Sequence, residues 1–352
     1  MQAPPPRTAG EARDEQVAAA AAEAVATGGR RATAEEEGGG TELPGGVTPN
    51  APPLEQVFAL LTSRHSSGLA LRHAAALAKV ASANAAAGGF HLRDLPRLVP
   101  VLEAAVTNAA NASDARPYAA PLRDLLALAA RPLRAAGASD ELILFDHVVA
   151  LVAFLAHAAS AVFVPDAAAA AATALAAYDA AGRREDGEPL RYNQHAVSIS
   201  GCIPLLVQAL GRAMEAGDGA VETVDAIVDA LLSLSCSLPS HCAQIADAGG
   251  IALAARLFAG CARAPARLEV LVELVWNVLE AVPEAHAQMD SVEVLADIRG
   301  VFASLLLHSR KRNDRHLRNE VLILATLLAN SGYVDPNAFV AAGFTTLLLE
   351  LA

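Results

Sequence analysis

Cys236, His241 and Cys242 place three ligand-type side chains within one short stretch. A closed zinc site needs four such donors at characteristic spacings. The spacing here fits no zinc pattern, Pro239 interrupts the stretch, and a fourth ligand is lacking. The other histidines scatter without an HExxH motif or an i, i+4 pair on one helix. Carboxylates such as Asp247, Glu269 and Glu273 could do acid–base work. Glu269 and Glu273, one helical turn apart, read instead as a solvated helix face. Neither glycine-rich phosphate loop occurs, and no Gly-x-Ser-x-Gly elbow. The reading is a non-enzyme without metal, cofactor or small-molecule substrate.

Two other groups suit recognition. Helical-repeat proteins that carry extended peptides line a groove with Trp and Asn from successive repeats, the Asn clamping the peptide backbone. This chain has one tryptophan, Trp276, followed by Asn277. One tryptophan makes no ladder, so Trp276 is expected to pack in the core and Asn277 to be the surface contact. The second group is HSRKRNDRHLR, His308–Arg318, the basic cluster of an acidic chain. Arg310, Lys311, Arg312, Arg315 and Arg318 could dock on an acidic partner by screened attraction. The plainer expectation is a solvated loop between helices, with Asp314 capping the next helix.

The elements that position these residues announce themselves by repetition. Apolar helical runs end in a short polar turn, then Gly-aliphatic, then another apolar run. The phrase appears as SISGCIPLLVQAL at Gly201, IADAGGIALAARLF at Gly249 and FVAAGFTTLLLELA at Gly343. The intervals are 48 and 94 residues, close to one and two periods of about 47. Stacked helices of that period bury one another's faces rather than enclose one pocket. The spacing predicts, after each glycine, a short helix and then a longer one: Val221–Cys236, Leu268–Val282 and Leu317–Asn330. A glycine expected near residue 296 is absent, and SVEVLADIRGVF reads as a degenerate copy.

Composition agrees with helices. Apolar residues make up 54%, but alanine supplies much of this, so the mean hydropathy of +0.35 overstates the hydrophobicity. Aromatics are 4% and strand-favouring runs are scarce, which leaves an all-α class. The net charge of −12 argues against nucleic-acid binding, which requires a basic stripe. The four cysteines, Cys202, Cys236, Cys242 and Cys261, lack a framework spacing and read as reduced, buried thiols of a cytosolic protein. No secretory signal is visible. Val148–Val164, the best membrane candidate, is short, contains His157 and reads as a buried solenoid helix, so no membrane partner is expected.

Along the chain, residues 1–53 mix Pro, Gly, Glu and Ala with few large apolar side chains and are expected to be a disordered tail. Residues 54–190 read as degenerate helical repeats, with Ser139-Asp140-Glu141 opening the most apolar helix and 182–194 an exposed loop. Residues 191–352 read as more regular repeats, continuous with the preceding segment. Pro204, Pro239, Pro265, Pro283 and Pro336 fall near the helix boundaries of this scheme. The fold class is an armadillo/HEAT-like right-handed α-solenoid.

The ordered phrases WNVLE (Trp276–Glu280), DRHLRNEVLILATLLAN (Asp314–Asn330) and AAGF (Ala341–Phe344) resemble the armadillo-type family of cilia- and flagella-associated protein 69. Arg318 and Asn319 match the family's phrase and would link adjacent repeats or meet a partner. The triplet Arg310-Lys311-Arg312 departs from the family pattern, and family members continue beyond the point where this chain stops, so a partial chain is expected. The resemblance implies a structural component of the axoneme of motile cilia and flagella, in a projection of the central-pair apparatus, needed for motility and assembly. Its partners would be other central-apparatus proteins, and the central-pair microtubule for the basic cluster. The competing reading is a soluble armadillo adaptor that binds extended peptides or partner proteins in its concave groove.

Overall fold

The computed structural model describes residues 53–62, 68–83, 97, 120–125, 164–181, 191–261, 265–308 and 312–351. The sequence expectations for the tail, for most of 84–163, for 182–190 and for Arg310 and Lys311 lie outside these residues. Every element among the described residues is helical, either α or 3-10. No single described helix is long and apolar enough to cross a membrane. The chain divides into two compact units, Met1–Ala171 and Ala172–Ala352.

In the first unit, α1 (Pro53–Thr62) packs on α2 (Gly68–Ala83). Val57, Phe58, Leu60, Leu71, Ala74 and Leu77 are buried there, at the three- and four-residue spacing of a helix face. Long-range ties hold the exposed rim. Arg97 forms a two-pronged pair with Glu55, 3.1 Å for each bond, and stacks 4.1 Å from the Phe58 ring centre. Its guanidinium, first by hydrogen bonding, holds the Glu55 carboxyl below its ordinary range.

The second unit begins within α3 (Pro165–Ala181), whose buried face is mostly alanine. Three-element repeats follow. The first is α4 (Arg191–Ser200), α5 (Cys202–Ala216) and α6 (Val221–Ser235), with a 3-10 turn η1 (Gly217–Ala220) before α6. The second is α7 (Pro239–Asp247), α8 (Gly250–Cys261) and α9 (Pro265–Ala281). The third replaces its first helix by a 3-10 element, η2 (Pro283–Met289), before α10 (Val292–His308) and α11 (Arg312–Asn330). A fourth opens with α12 (Pro336–Ala341) and α13 (Phe344–Leu351). Second helices stack as α5, α8, α10 and α13, and third helices as α6, α9 and α11. This is an armadillo-type α-solenoid, with the core between the two layers.

The glycines work as the sequence suggested, with one substitution. Gly201, Gly249 and Gly343 turn the chain at φ of +73°, +79° and +84°, a left-handed corner disfavoured for side-chain-bearing residues. Second helices open at 202, 250, 292 and 344, intervals of 48, 42 and 52 residues, so the period is not uniform. The position near 296 therefore falls inside α10, at Ala296, and the true corner lies at Asp290-Ser291. There Ser291 Oγ accepts the Val294 amide at 3.4 Å and donates to Glu293 at 2.6 Å, an N-cap instead of a left-handed glycine. Pro239, Pro283 and Pro336 open the first elements, where a missing N–H costs nothing.

Several sequence expectations need correction, the loop expected over 182–194 among them, because α4 already begins at Arg191 and Gln194 is buried. The helix expected from Leu317 begins at Arg312, so Asp314 lies inside its first turn and is not its cap. The helix expected from Leu268 begins at Pro265, because a proline at the helix start is compatible with the apolar period that follows. Cys202, Cys242 and Cys261 are buried free thiols, but Cys236 is exposed at the end of α6.

Candidate partner-binding surface

Third helices present one face to the core and the other outward. On α6 the outer side carries Glu222, Asp225 and Asp229, and on α9 it carries Glu269, Glu273 and Glu280. The apolar residues Val224, Ile227, Val228, Leu231, Leu271, Val275 and Val278 take the inner side. One cation answers these carboxylates on the two helices: Arg267 Nε lies 2.5 Å from Asp225 Oδ1, a bond that raises the guanidinium's proton affinity further. Partial desolvation and then the neighbouring Asp225 push the Asp229 carboxyl up. On α11 the outward side changes character, with Leu322 and Ile323 39% and 47% exposed.

Trp276 lies at the edge of the core rather than within it. It is half-buried, and its indole N–H reaches Glu280 at 3.2 Å, so the ring covers α9's own flank. The expectation of a core tryptophan is thereby corrected: burying the indole fully would strand its N–H. Asn277 points its amide back toward the preceding repeat. Its Nδ2 donates to Ser235 Oγ at 3.1 Å and lies 3.3 Å from Cys236 Sγ.

Arg312, Arg315, Arg318 and Asn319 lie on the first turns of α11, not in a loop, and Arg310 and Lys311 fall outside the described residues. Arg318 is half-buried, with its guanidinium 3.5 Å from Asn319 Oδ1. His316 and Glu320, one turn apart, pair at 3.0 Å on the same helix.

Sequence reasoning missed a different set: polar side chains that stitch one repeat to the next. His241, fully buried, sets its ring between the Leu234 carbonyl at 3.1 Å and the Gln194 carbonyl at 3.0 Å. Gln244 reaches the Ser198 carbonyl at 2.6 Å, and Ser198 meets Ser240 at 2.9 Å. Gln288 donates to the Ala246 carbonyl at 2.7 Å and accepts the Ala252 amide at 3.2 Å, capping α8 from the following repeat. Asp290 accepts the Asp335 amide at 3.0 Å, and Asp335 in turn caps α12. Buried Asp179 receives the Ser237 hydroxyl. His241–Gln194, Gln244–Ser198, Asn277–Ser235 and Gln288–Ala246 lie 42 to 47 residues apart, one repeat length. That separation was the available signal, since polar residues one period apart occupy equivalent places in neighbouring repeats.

Comparison with known proteins accords with this architecture. The family model for the ARM repeat of cilia- and flagella-associated protein 69 matches residues 52–352. Curated proteins of that name from Papio anubis and Homo sapiens are each 32% identical over 83 residues, 23% of this chain. The Mus musculus protein is 31% identical over 83 residues. In each case the match spans 8% of the relative's own length. The crystal structure of an engineered protein covers 80% of this chain and 98% of its own at 20% identity, with a TM-score of 0.33. With the family model matched across nearly all of the helical chain, the protein belongs to the cilia- and flagella-associated protein 69 ARM-repeat family.

Proposed function

We propose that this chain is a non-catalytic scaffold of the motile axoneme, part of a projection of the central-pair apparatus and needed for motility and assembly. The observation that carries the reading is the use made of polar groups inside the second unit. His241, Gln244, Asn277, Gln288 and Asp290 spend their hydrogen bonds holding one repeat to the next. A stack tied in this way resists bending between repeats and keeps its outer faces at fixed spacing, as a load-bearing projection requires. Family membership supplies the cellular setting.

Contacts with other central-apparatus proteins would be shallow and distributed. Arg310, Lys311, Arg312, Arg315, Arg318 and Asn319 are the candidates for an acidic neighbour, including the microtubule surface. The peptide-adaptor reading has less support, because Asn277 directs its amide N–H groups to Ser235 and Cys236 instead of outward.

The decisive experiment tags the full-length protein in a flagellated cell and fractionates detergent-extracted axonemes. Retention in normal axonemes and loss from a mutant without the central pair is the expected result. Release with the soluble fraction would overturn the scaffold reading and favour the adaptor.

A further inference from the structure

Cys236 and Cys242 stand on either side of the turn that joins α6 to α7. Cys236 ends α6 and is exposed, whereas Cys242 is 2% exposed in the first half of α7. The Cys242 sulfur lies 3.3 Å from the carbonyl oxygen of Ser235. That carbonyl belongs to the peptide unit joining Ser235 to Cys236, and its oxygen sits about 3 Å from the Cys236 Cα by covalent geometry. The Cys242 sulfur therefore lies within about 6 Å of the Cys236 Cα. Closing a disulfide requires a Cα separation of about 4.4–6.8 Å. The Cys236 sulfur also has Asn277 Nδ2, an amide donor from the next repeat, at 3.3 Å.

We propose that Cys236 is a peroxide-reactive thiol and that Cys242 resolves it, closing an intramolecular disulfide across the α6–α7 turn. The Cys236 sulfur, as thiolate, attacks one oxygen of a peroxide. A sulfur–oxygen bond forms, the oxygen–oxygen bond breaks, and water or an alcohol leaves. The Cys242 thiolate then attacks the sulfenic sulfur, a sulfur–sulfur bond forms, and hydroxide departs as water with the proton Cys242 gave up. Two thiols lose two electrons and two protons, and the peroxide takes up both. The disulfide removes the sulfur acceptor of Asn277 and the bond from Cys242 to the Ser235 carbonyl. Two ties at the junction between the first and second repeats are lost together, so oxidation loosens the solenoid at a defined place.

The chain carries its own controls. Cys202 and Cys261 are 0% and 1% exposed, and burial pushes both thiols up to about 11. Burial likewise pushes the Cys242 thiol up to about 11, so the closing step accelerates as pH rises from 7 toward 9.

The test treats the purified full chain with hydrogen peroxide, alkylates free thiols with iodoacetamide and digests with trypsin. Ala213–Arg256 is one tryptic peptide holding Cys236 and Cys242 and no other cysteine. The expected product is that peptide unalkylated and about 2 Da lighter than its dithiol form. In Cys242→Ser, Cys236 should accumulate as a dimedone-trappable sulfenic acid. In Cys236→Ser, the peptide should remain fully alkylatable after the same exposure. Far-UV circular dichroism checks that both variants keep the helical fold. Wild-type protein that stays fully alkylated, or that gives the dimedone adduct without the lighter peptide, would overturn the proposal. So would oxidation of Cys202 or Cys261 at a rate equal to that of Cys236.

Discussion

Gly249 and Gly250 are neighbours with different reasons for being glycine. Gly249 supplies the left-handed corner at φ +79°, with nothing within 4 Å of where a Cβ would stand. Gly250 has no such backbone demand, but an added Cβ would lie 2.7 Å from Ile245 Cγ2 and 2.8 Å from the Ile245 carbonyl. Backbone must move to admit it, so Gly250→Ala should destabilise the second unit by about 1–3 kcal/mol. Gly249→Ala should cost about 1–2 kcal/mol through strain alone. Gly219→Ala, in open space without a positive φ, serves as the near-neutral control. Urea midpoints at matched slope would separate the three.

Glu55 makes a second prediction at this scale. Its carboxyl is held below the ordinary glutamate range, chiefly by the Arg97 hydrogen bond. A lowered folded-state affinity for protons stabilises the folded form above the unfolded value and is lost as pH falls through the folded one. Wild-type protein should therefore lose helix stability on the acid side of pH 4.5, and Glu55→Gln should flatten that limb. Both partners are about half exposed, so the effect should be small and should fade with added salt. Thermal melts by circular dichroism between pH 3 and 6 would read it.

Between elements, stability rests on bonds that no single helix contains. Gln288 closes an open amide of α8 and the Ala246 carbonyl with one side chain. Gln288→Ala leaves both partly buried groups without it and should cost about 1–3 kcal/mol. Asn277→Ala removes bonds to a neutral hydroxyl and a thiol and should cost less, about 0.5–1.5 kcal/mol. If the two ties are independent, the double variant should show the sum, because they lie at different junctions. A Gln288→Ala value no larger than that of Asn277→Ala would count against the helix-capping role.

Across the whole chain, α12 and α13 leave apolar side chains open, with Val340 63% and Leu349 73% exposed. Armadillo repeats bury such faces against neighbours, and open apolar patches promote association. Val340→Lys with Leu349→Lys should lower light scattering at high protein concentration without lowering the melting temperature. Unchanged scattering would show that these side chains do not mediate self-association. The family's name concerns cilia and flagella, and the match to the curated relatives spans 8% of their own length.

The sequence by itself determined the helical class, the glycine corners and the family. Each depends on local pattern: apolar period within a helix, and a backbone angle that one residue type tolerates well. The prolines at 239, 283 and 336 were legible for the same reason. Tertiary structure decided where α11 begins, that Trp276 is half-buried, and that Cys236 alone of the described thiols is exposed. It also decided that Asn277, Gln288 and His241 stitch repeats together. A polar side chain's partner one repeat away is set by the packing of two helices, and that packing exists only once the stack has formed.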